Sequence, residues 1–363
     1  MLQSAAAVAK AGTWRGSASN NLTVEMTEQK GNMEAVGMQD AERSAAAIAV
    51  NRSQVIFDTD PGVDDAMALY LLARHPLIDL LAVTTVYGNA SIATTTRNAL
   101  ALCGLYGLRM PVAAGAAGPL QALAEERFPS HVHGLDGMGG AAGLAAAVAL
   151  PDSHLDVRPA WQLICELVNA APGEITLIAV GPLTNLALAL QHDPSIAGKL
   201  RQVVVMGGAF GIKGHCGNIT ALAEANIFCD PQAAALVLGA HWQVVIVGLD
   251  VTQEVVMTEA YLAHLQGRGG LVGDFLWQAT RHYQDFYDSR DAIKGIYSHD
   301  ASAVAFAIEP SAFDLRAGAV QVRLDGAARG QTTQDSQQAG QTQQVCVGVR
   351  PDRVLALFEQ IFD

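Results

Sequence analysis

The feature that most restricts the fold of this chain lies at residues 53–74, where an apolar run leads through a turn into a helical pattern. Residues 55–57 are apolar and partly β-branched, as in a buried strand. The Pro-Gly dipeptide at 61–62 marks a turn, and residues 66–73 have a helical composition. Strand-like and helical segments alternate from there to the C terminus, which predicts an α/β fold. We therefore expect a single domain with a mainly parallel, open sheet flanked by helices.

Four carboxylates are concentrated in this opening unit. Asp58 and Asp60 follow the strand, and Asp64 and Asp65 open the helix, at the kind of strand end where α/β sheets bind ligands. A helix dipole stabilises a nearby carboxylate by only about 0.3–1 kcal/mol. That does not offset the repulsion among four charges, so we expect a cation among them. The cluster lacks His and Cys, which favours a hard ion such as Ca²⁺ or Mg²⁺. The alternative is a solvated acidic loop with one Asp as the helix N-cap.

The string DTDPGVDDAMAL at residues 58–69 resembles the N-terminal signature of the nucleoside hydrolases, which use Ca²⁺ to cleave the N-glycosidic bond of ribonucleosides. Two later segments are also similar to this family: MGG…N…AEAN-x-x-x-DP within residues 206–231, and ARGQTTQD at residues 328–335. The resemblance therefore extends from about residue 53 to the C terminus. It implies the nucleoside hydrolase fold and an enzyme that works through an oxocarbenium-like transition state with a metal-activated water, as in related glycoside chemistry.

The resemblance also implies a set of Ca²⁺ ligands. They are the side chains of Asp58, Asp60, Asp65 and Asp300 and the main-chain carbonyl of Val180. The family often has Thr at the position of Val180, and a carbonyl ligand tolerates this difference. Ca²⁺ suits the role because it accepts about six to eight oxygen ligands in flexible geometry. Asp60 is the candidate general base that activates the attacking water.

The residues that the resemblance assigns to the ribose mostly follow predicted strands. They are Asp64, Asn89, Met206, Asn218, Glu224 and Asn226. Two of these positions also have ordinary structural explanations: Asn89 is typical of a turn after the strand at residues 80–87, and a Met after a strand is more often part of the core. The resemblance decides for substrate contact in both cases.

Two histidines and two tyrosines are predicted to surround the nucleobase. His299 precedes Asp300 at the start of an apolar helix, and the resemblance places it beside the leaving base as a donor or orienting group. The resemblance also implies a flexible Gly-rich loop with a histidine that faces the base. His133 is the first candidate for it and His131 is the alternative, and the same pair could be read as a weak metal motif. Tyr283 and Tyr287 belong to an aromatic helix at residues 273–288 and are expected to flank the base.

Four further polar residues are interpreted as structural. Thr184 and Asn185 are expected to cap the helix that follows them. Asp230 precedes Pro231 and is predicted to be the N-cap of the next helix. Asp250 follows a strand and is interpreted as a turn residue rather than a ligand.

The first 51 residues differ from the rest of the chain. They are rich in Ala, Ser, Asn, Gln and Gly and lack sustained periodicity. We therefore expect residues 1–51 to be a disordered N-terminal extension and residues 52–363 to form the nucleoside hydrolase domain. At 363 residues and 50% hydrophobic composition, the chain is long enough for a large core.

Composition and charge exclude several classes of partner. The net charge of −13 argues against nucleic-acid binding, which needs clustered Lys and Arg. No run approaches the roughly 18 apolar residues of a membrane span. The five cysteines are scattered and form no CxxC pair, as is typical of a reduced, cytoplasmic protein. The expected partner is a small-molecule ribonucleoside, and we expect a homo-oligomer, either a dimer or a tetramer.

Two other activities are compatible with parts of the sequence. A Mg²⁺-dependent phosphatase of the haloacid dehalogenase type also has a strand followed by DxD, but it needs a downstream Lys and has no place for the second Asp pair. A non-catalytic nucleoside-binding protein would not need both Asp60 and His299. Within the nucleoside hydrolases, a chain with four tryptophans is unlike the Trp-rich purine-specific subgroup. We therefore expect pyrimidine ribonucleosides, and inosine, to be preferred over adenosine.

Overall fold

The computed structural model describes residues 52–121, 128–151, 154–337 and 343–362. The expectation of a disordered extension at residues 1–51 lies outside these ranges. The strands of the described part are β1 Ser53–Thr59, β2 Ile78–Thr85, β3 Val112–Ala114, β4 Leu155–Asp156, β5 Ile175–Ala179, β6 Gln202–Met206, β7 Val244–Val247, β8 Val256–Thr258, β9 Gly295–Tyr297, β10 Phe313–Ala317, β11 Ala319–Val322, β12 Thr332–Asp335 and β13 Gln343–Val349.

The helices lie mostly between consecutive strands. They are α1 Val63–Arg74, α2 Ile92–Tyr106, α3 Ser130–His133, α4 Ala142–Ala146, α5 Ala160–Ala170, α6 Thr184–His192, α7 Ala225–Cys229, α8 Pro231–Leu238, α9 Leu249–Thr252, α10 Glu259–Asp291, α11 His299–Ile308 and α12 Pro351–Ile361. None of the helices in the described ranges has the length and apolarity that crossing a membrane requires.

The central sheet has the parallel organisation that the sequence predicts. Within the described residues it contains nine strands in the order β10-β13-β7-β6-β5-β1-β2-β3-β4. Every pairing in it is parallel except that of the edge strand β10 with β13. The prediction of an α/β fold with a mainly parallel, open sheet flanked by helices is confirmed.

The centre of the sheet is buried on both faces, as a parallel sheet requires. Val55, Ile56 and Phe57 of β1 are all fully buried. Because successive side chains of a strand point to opposite faces, Val55 and Phe57 join the core cluster on one face, and Ile56 joins the cluster on the other. This double burial explains why the run is continuously apolar rather than alternating.

The ends of neighbouring strands are brought into line at one edge of the sheet. Asp58 is in register with Thr84 of β2 and with Ala179 of β5, so the polar residues that follow these strands come together. The long helix α10 extends further at both ends than the predicted range of 273–288, and its backbone leaves the helical region at Gly270, where φ is 53° and ψ is −133°. Its C-terminal part contacts α1 and α3 beside the strand ends.

Candidate active site

A pocket opens at this edge of the sheet, and most of the predicted site residues line it. They are Asp64, Asn89, His133, Val180, Met206, Asn218, Glu224, Asn226, Tyr283, Tyr287, His299 and Asp300. The remaining three, Asp58, Asp60 and Asp65, are buried, with at most 1% of their surface exposed. The structure thus gathers the predicted polar residues around one crevice.

Three buried carboxylates form a compact group in this crevice. Asp64, Asp65 and Asp300 each place one oxygen within 4.8 Å of the others. Burial, and then the charge of Asp65, raise the pKa of Asp64 to about 7. Burial and the charges of the neighbouring Asp residues also raise the pKa of Asp300 well above its usual range. A bound cation would remove this penalty, because it stabilises the ionised form of every carboxylate around it.

Two further carboxylate oxygens also indicate a bound cation. Oδ1 of Asp60 and Oδ1 of Asp64 are buried, and within the described part of the chain neither accepts a hydrogen bond. Buried polar atoms nearly always have a partner, which can be an ion. Carboxylate oxygens without sulfur or imidazole in the same group are the donor set of a hard cation. The residues present therefore fit a divalent metal ion.

Asp65 organises the turn between β1 and α1. Its carboxylate accepts hydrogen bonds from the Thr59 hydroxyl, from the main-chain N–H of Asp60 (3.2 Å) and of Gly62 (2.8 Å), and from Nδ2 of Asn89 (3.0 Å). These bonds hold the start of α1, where backbone N–H groups lack helical partners. Asp65 is therefore both a member of the carboxylate group and the residue that fixes its geometry.

Asp60 lies tightly against two glycines. Its Oδ2 accepts a hydrogen bond from the main-chain N–H of Asn89 at 2.8 Å. A Cβ atom on Gly88 would lie 2.0 Å from Oδ2 of Asp60, and one on Gly181 would lie 2.7 Å from Oδ1. Both distances are far below van der Waals contact, so the carboxylate requires glycine at both strand ends.

The contacts of Asp58 differ from those of the other three carboxylates in this unit. Its Oδ1 accepts hydrogen bonds from the Thr84 hydroxyl (2.5 Å) and from Nδ2 of Asn185 (2.8 Å). Burial raises its pKa to about 7, and these two hydrogen bonds counteract the rise. Asp58 does not belong to the compact group of Asp64, Asp65 and Asp300 among the described residues. Its contacts join the ends of β1 and β2 to α6, while its Oδ2 is buried and, among the described residues, accepts no hydrogen bond.

The prediction that Thr184 and Asn185 cap a helix is wrong. The N-cap position of α6 is Leu183, and no side chain caps it. Asn185 instead bonds to Asp58, and the Thr184 hydroxyl donates to Oδ2 of Asp230 at 2.8 Å. Both residues lie in the first turn of the helix, and the Asn185 side chain reaches the strand ends while that of Thr184 reaches the start of α8.

The prediction that Asp230 is an N-cap is confirmed, whereas Asp250 lies in the first turn of the short helix α9 and not in a reverse turn. Asp230 accepts a hydrogen bond from the N–H of Ala233 at 3.0 Å and caps α8. Asp250 accepts from the N–H groups of Phe210 (2.8 Å) and Ile212 (2.6 Å), and so holds the loop after β6.

The polar residues on the β6 side of the pocket are cross-linked to each other. Glu224 is the N-cap of α7 and accepts from the main-chain N–H of Gly208 (3.0 Å) and of Asn226 (2.9 Å). The amide of Asn226 donates to the carbonyl of Val180 (2.7 Å) and to that of Met206 (3.2 Å). Asn218 accepts from the N–H of Ala225 at 2.9 Å. The predicted ribose residues are therefore held rigidly by the main chain before any ligand binds.

A chain of hydrogen bonds connects the carboxylate group with His299. The Tyr283 hydroxyl donates to Oδ2 of Asp64 at 3.2 Å, and the Tyr287 hydroxyl donates to that of Tyr283 at 3.2 Å. Nε2 of His299 lies 2.9 Å from the Tyr287 hydroxyl, and Nδ1 lies 2.7 Å from Oγ1 of Thr252. All five side chains are buried. This chain spans the pocket from its acidic side to its aromatic side.

His133 is the more buried of the two loop histidines. Its Nδ1 accepts from the N–H of Val63 at 3.4 Å and lies 4.0 Å from Oδ1 of Asp64. Its ring packs against Tyr283 with the centroids 5.3 Å apart. His131 also lines the pocket, and its ring packs edge-on against Phe286. Burial lowers the pKa of His133 and of His299 to about 3, so both rings are neutral.

The loop that carries His133 is held by Asp136. The Asp136 carboxylate accepts from the N–H groups of Met138 (3.0 Å), Gly140 (2.9 Å) and Ala142 (3.0 Å). These hydrogen bonds lower the pKa of Asp136 although partial burial acts to raise it. The Gly-rich segment is therefore organised around an internal carboxylate.

The sequence analysis missed two polar residues of the site. Thr252 ends the short helix α9 and contacts His299, and no sequence pattern distinguishes it from an ordinary buried Thr. Arg290 lines the pocket, and its charge contributes to the lowered pKa of His299. Arg290 follows Tyr287 by three positions on α10, a spacing that places both on one helical face, and this signal was available from the sequence.

These features define an enzyme-like site. A buried acidic crevice at the carboxyl ends of a parallel sheet has oxygen ligands on one side, and neutral imidazoles and phenols on the other. Such a crevice is where α/β proteins bind small ligands.

Comparison with known proteins identifies the family. The model of the inosine-uridine preferring nucleoside hydrolases matches residues 55–356. The chain is 36% identical over 287 residues to a probable uridine nucleosidase 1 of Oryza sativa subsp. japonica, covering 79% of this chain and 86% of that protein. It is 38% identical over 279 residues to the inosine-uridine preferring nucleoside hydrolase of Leishmania major, covering 76% and 84%.

A solved structure leads to the same family. A plant nucleoside hydrolase superposes with a TM-score of 0.80 at 35% identity, over 85% of this chain and 98% of that one. The chain belongs to the nucleoside hydrolase family, and it is a hydrolase that acts on ribonucleosides by cleaving the N-glycosidic bond. Among the activities compatible with its sequence, the comparisons therefore select the nucleoside hydrolase over the phosphatase and the non-catalytic binding protein.

Proposed function

We propose that this enzyme is a Ca²⁺-dependent ribonucleoside hydrolase that prefers pyrimidine ribonucleosides, together with inosine, over adenosine. The observation that carries the proposal is the arrangement of the pocket. Two buried carboxylate oxygens without hydrogen-bond partners, on Asp60 and Asp64, lie on the acidic side, and a hydrogen-bonded chain joins Asp64 to His299 on the other. Hydrolysis needs both sides, because water attacks the sugar while the base departs.

The metal ion is proposed to be held by Asp58, Asp60, Asp65, Asp300 and the carbonyl of Val180. Oδ1 of Asp58 is held by Thr84 and Asn185. Its Oδ2 is buried and has no partner among the described residues, so it is the oxygen that Asp58 would offer to the ion. When bound, Ca²⁺ supplies positive charge that favours ionisation of a water molecule and orients the sugar hydroxyls.

Asp60 is proposed as the general base. Its Oδ2 is fixed by the N–H of Asn89, and its Oδ1 has no partner among the described residues. One oxygen is therefore held by the main chain, from where it could also ligate the ion, while the other is available to take a proton from water. A positioned base of this kind contributes about 10²–10⁴-fold to a rate.

The ribose is proposed to lie between Asp64 and the residues on the β6 side. Oδ1 of Asp64 is an acceptor without a partner in the described structure, which suits a sugar hydroxyl. The amides of Asn89, Asn218 and Asn226 and the carboxylate of Glu224 all line the same pocket. Because main-chain hydrogen bonds hold Glu224 and Asn226 in place, the ribose is bound with little further ordering of the protein.

The nucleobase is proposed to face His133, Tyr283, Tyr287 and His299. No tryptophan is among the described residues that line the pocket, so stacking of a purine on an indole does not contribute. The neutral ring of His133 is both a hydrogen-bond donor and an acceptor, which suits the carbonyl groups and ring nitrogens of uracil and hypoxanthine. His299 is proposed to act on the base through the Tyr287 hydroxyl, which it contacts at 2.9 Å. Arg290 places a positive charge near the base, where negative charge develops on a departing pyrimidine.

The proposal is tested by measuring ribose release over uridine, cytidine, inosine, adenosine and deoxyuridine, with and without chelator. We expect uridine to be the best or among the best substrates and adenosine to be poor. Deoxyuridine should be much poorer than uridine, because a buried polar group left unpaired costs about 1–3 kcal/mol. A strong preference for adenosine would overturn the assignment of base specificity.

The enzyme is further proposed to be a cytoplasmic homo-oligomer, a dimer or a tetramer, as its resemblance to the family implies. Light scattering coupled to size-exclusion chromatography checks this directly. A mass equal to the 38.0 kDa monomer at micromolar concentration would contradict it.

A further inference from the structure

Both ring nitrogens of His299 are engaged. Nδ1 lies 2.7 Å from Oγ1 of Thr252, and Nε2 lies 2.9 Å from the hydroxyl of Tyr287. The neutral imidazole carries one proton, so one nitrogen donates and the other accepts. Which nitrogen holds the proton decides what His299 can offer to the tyrosines and to the nucleobase beyond them.

The two tyrosines fix the direction of the hydrogen bonds between Asp64 and His299. The Tyr283 hydroxyl donates to Oδ2 of Asp64. The Tyr287 hydroxyl donates to the oxygen of Tyr283. Each hydroxyl has a single proton, so the oxygen of Tyr287 is left to accept from His299. The proton of the imidazole therefore lies on Nε2.

The contact between Thr252 and His299 independently indicates that the imidazole proton lies on Nε2. Thr252 is fully buried, and within the described structure its hydroxyl has one hydrogen-bond partner, Nδ1 of His299. A buried hydroxyl proton without an acceptor is costly, at about 1–3 kcal/mol. The Thr252 proton therefore points at Nδ1, which must carry a lone pair rather than a proton.

We propose that Thr252 is a positioning residue that holds the ring of His299, in its Nε2–H tautomer, by donating a hydrogen bond to Nδ1. Thr252 does not touch the pocket in the described structure, so it acts only through the imidazole. The proposal rests on the proposed function in one respect: the hydrogen bond from Nε2–H holds and polarises the Tyr287 hydroxyl, which lines the pocket beside the departing base. Loss of the Thr252 hydroxyl leaves Nδ1 without its buried donor, so the ring is no longer held in the orientation that directs Nε2–H at Tyr287.

The test compares Thr252→Val, which keeps the shape and removes the hydroxyl, with Thr252→Ser, which keeps the hydroxyl. Turnover is measured on uridine and on 4-nitrophenyl riboside, whose leaving group needs no proton. Thr252→Val should lower kcat for uridine about 10–100-fold, the usual effect of removing a residue that orients a functional histidine. The nitrophenyl substrate should change less than about threefold, and Thr252→Ser should resemble the wild type on both. If Thr252→Val does not fold, Thr252→Ala replaces it.

A second readout does not depend on catalysis. In protein labelled with ¹⁵N-histidine, ring spectra distinguish protonated from unprotonated nitrogens, and the His299 signals are identified by their absence in His299→Gln. We expect Nε2–H in all three proteins, and a downfield shift of the Nδ1 resonance in Thr252→Val alone, because that nitrogen loses the hydrogen bond it accepts. The proposal is overturned by Nδ1–H in the wild type, by an unchanged Nδ1 resonance in Thr252→Val, or by equal losses on both substrates. If the wild type cleaves no ribonucleoside, the proposed function fails, and the spectra still decide the role of Thr252.

Discussion

The amide of Asn185 ties together three segments at the floor of the site, and its removal should be severely destabilising. Asn185 is fully buried. Its Nδ2 donates to Oδ1 of Asp58 at 2.8 Å and to the carbonyl of Thr85 at 2.9 Å, and its Oδ1 accepts from the N–H of Ala116 at 2.9 Å. Asn185→Ala removes these hydrogen bonds without introducing a new group.

The expected loss follows from the partners left behind. A buried polar group that loses its partner costs about 1–3 kcal/mol. The N–H of Ala116 has no other acceptor in the described structure and should lie at the upper end of that range. Oδ1 of Asp58 retains the Thr84 hydroxyl and should lie at the lower end. Together with the carbonyl of Thr85, we expect Asn185→Ala to lower the free energy of unfolding by about 3–6 kcal/mol.

Urea denaturation followed by circular dichroism measures this change. The matched control is Asn169→Ala, because the amide of Asn169 also donates to an Asp, at 2.9 Å from Oδ2 of Asp193, but does so at the exposed surface. We expect the control to lose less than about 1 kcal/mol. The reasoning is refuted if Asn185→Ala loses less than about 1 kcal/mol, or no more than the control.

Four further outcomes are expected from the proposed function and from the sequence. Exhaustive chelation should abolish ribose release and added Ca²⁺ should restore it, whereas full activity after chelation would contradict the metal assignment. Asp60→Asn, with its fold checked by circular dichroism, should lower kcat for uridine about 10²–10⁴-fold, and near wild-type turnover would place the base elsewhere. Deletion of residues 1–51 should leave activity and melting temperature unchanged, and a decrease in either beyond experimental scatter would show that this segment packs on the enzyme. His299→Ala should reduce turnover of uridine more than that of 4-nitrophenyl riboside, and equal losses would remove His299 from activation of the leaving group.

The parts of the fold that depend on local pattern could be predicted from the sequence. Residues 53–74 form the expected strand, turn and helix, because burial on both faces demands a continuous apolar run and the Pro-Gly dipeptide demands a turn. The carboxylates after this strand could be placed at a sheet edge for the same reason. The order of the nine strands in the described sheet could not be predicted in this way, because it does not depend on any local sequence pattern.

Long-range contacts explain why the sequence analysis misassigned Asn185 and missed Thr252. Asn185 was interpreted from its immediate neighbours as a capping residue, but its partner Asp58 lies 127 positions earlier in the chain. Thr252 and His299 are 47 positions apart, and nothing in the neighbourhood of either residue indicates the other. A side chain whose function is to bond across the sheet has the same local context as one that only ends a helix, so its role becomes visible only when the strand ends are assembled.

The fit of Asp60 between Gly88 and Gly181 limits which amino-acid substitutions this enzyme can accept. Because a single methyl group at either position would collide with the carboxylate, a library that samples every amino acid at these two codons should return glycine alone among active clones. Variation in substrate range must then arise at other residues that line the pocket, such as Arg290 and Ile219. New specificities should therefore accumulate at such positions while Gly88 and Gly181 are kept.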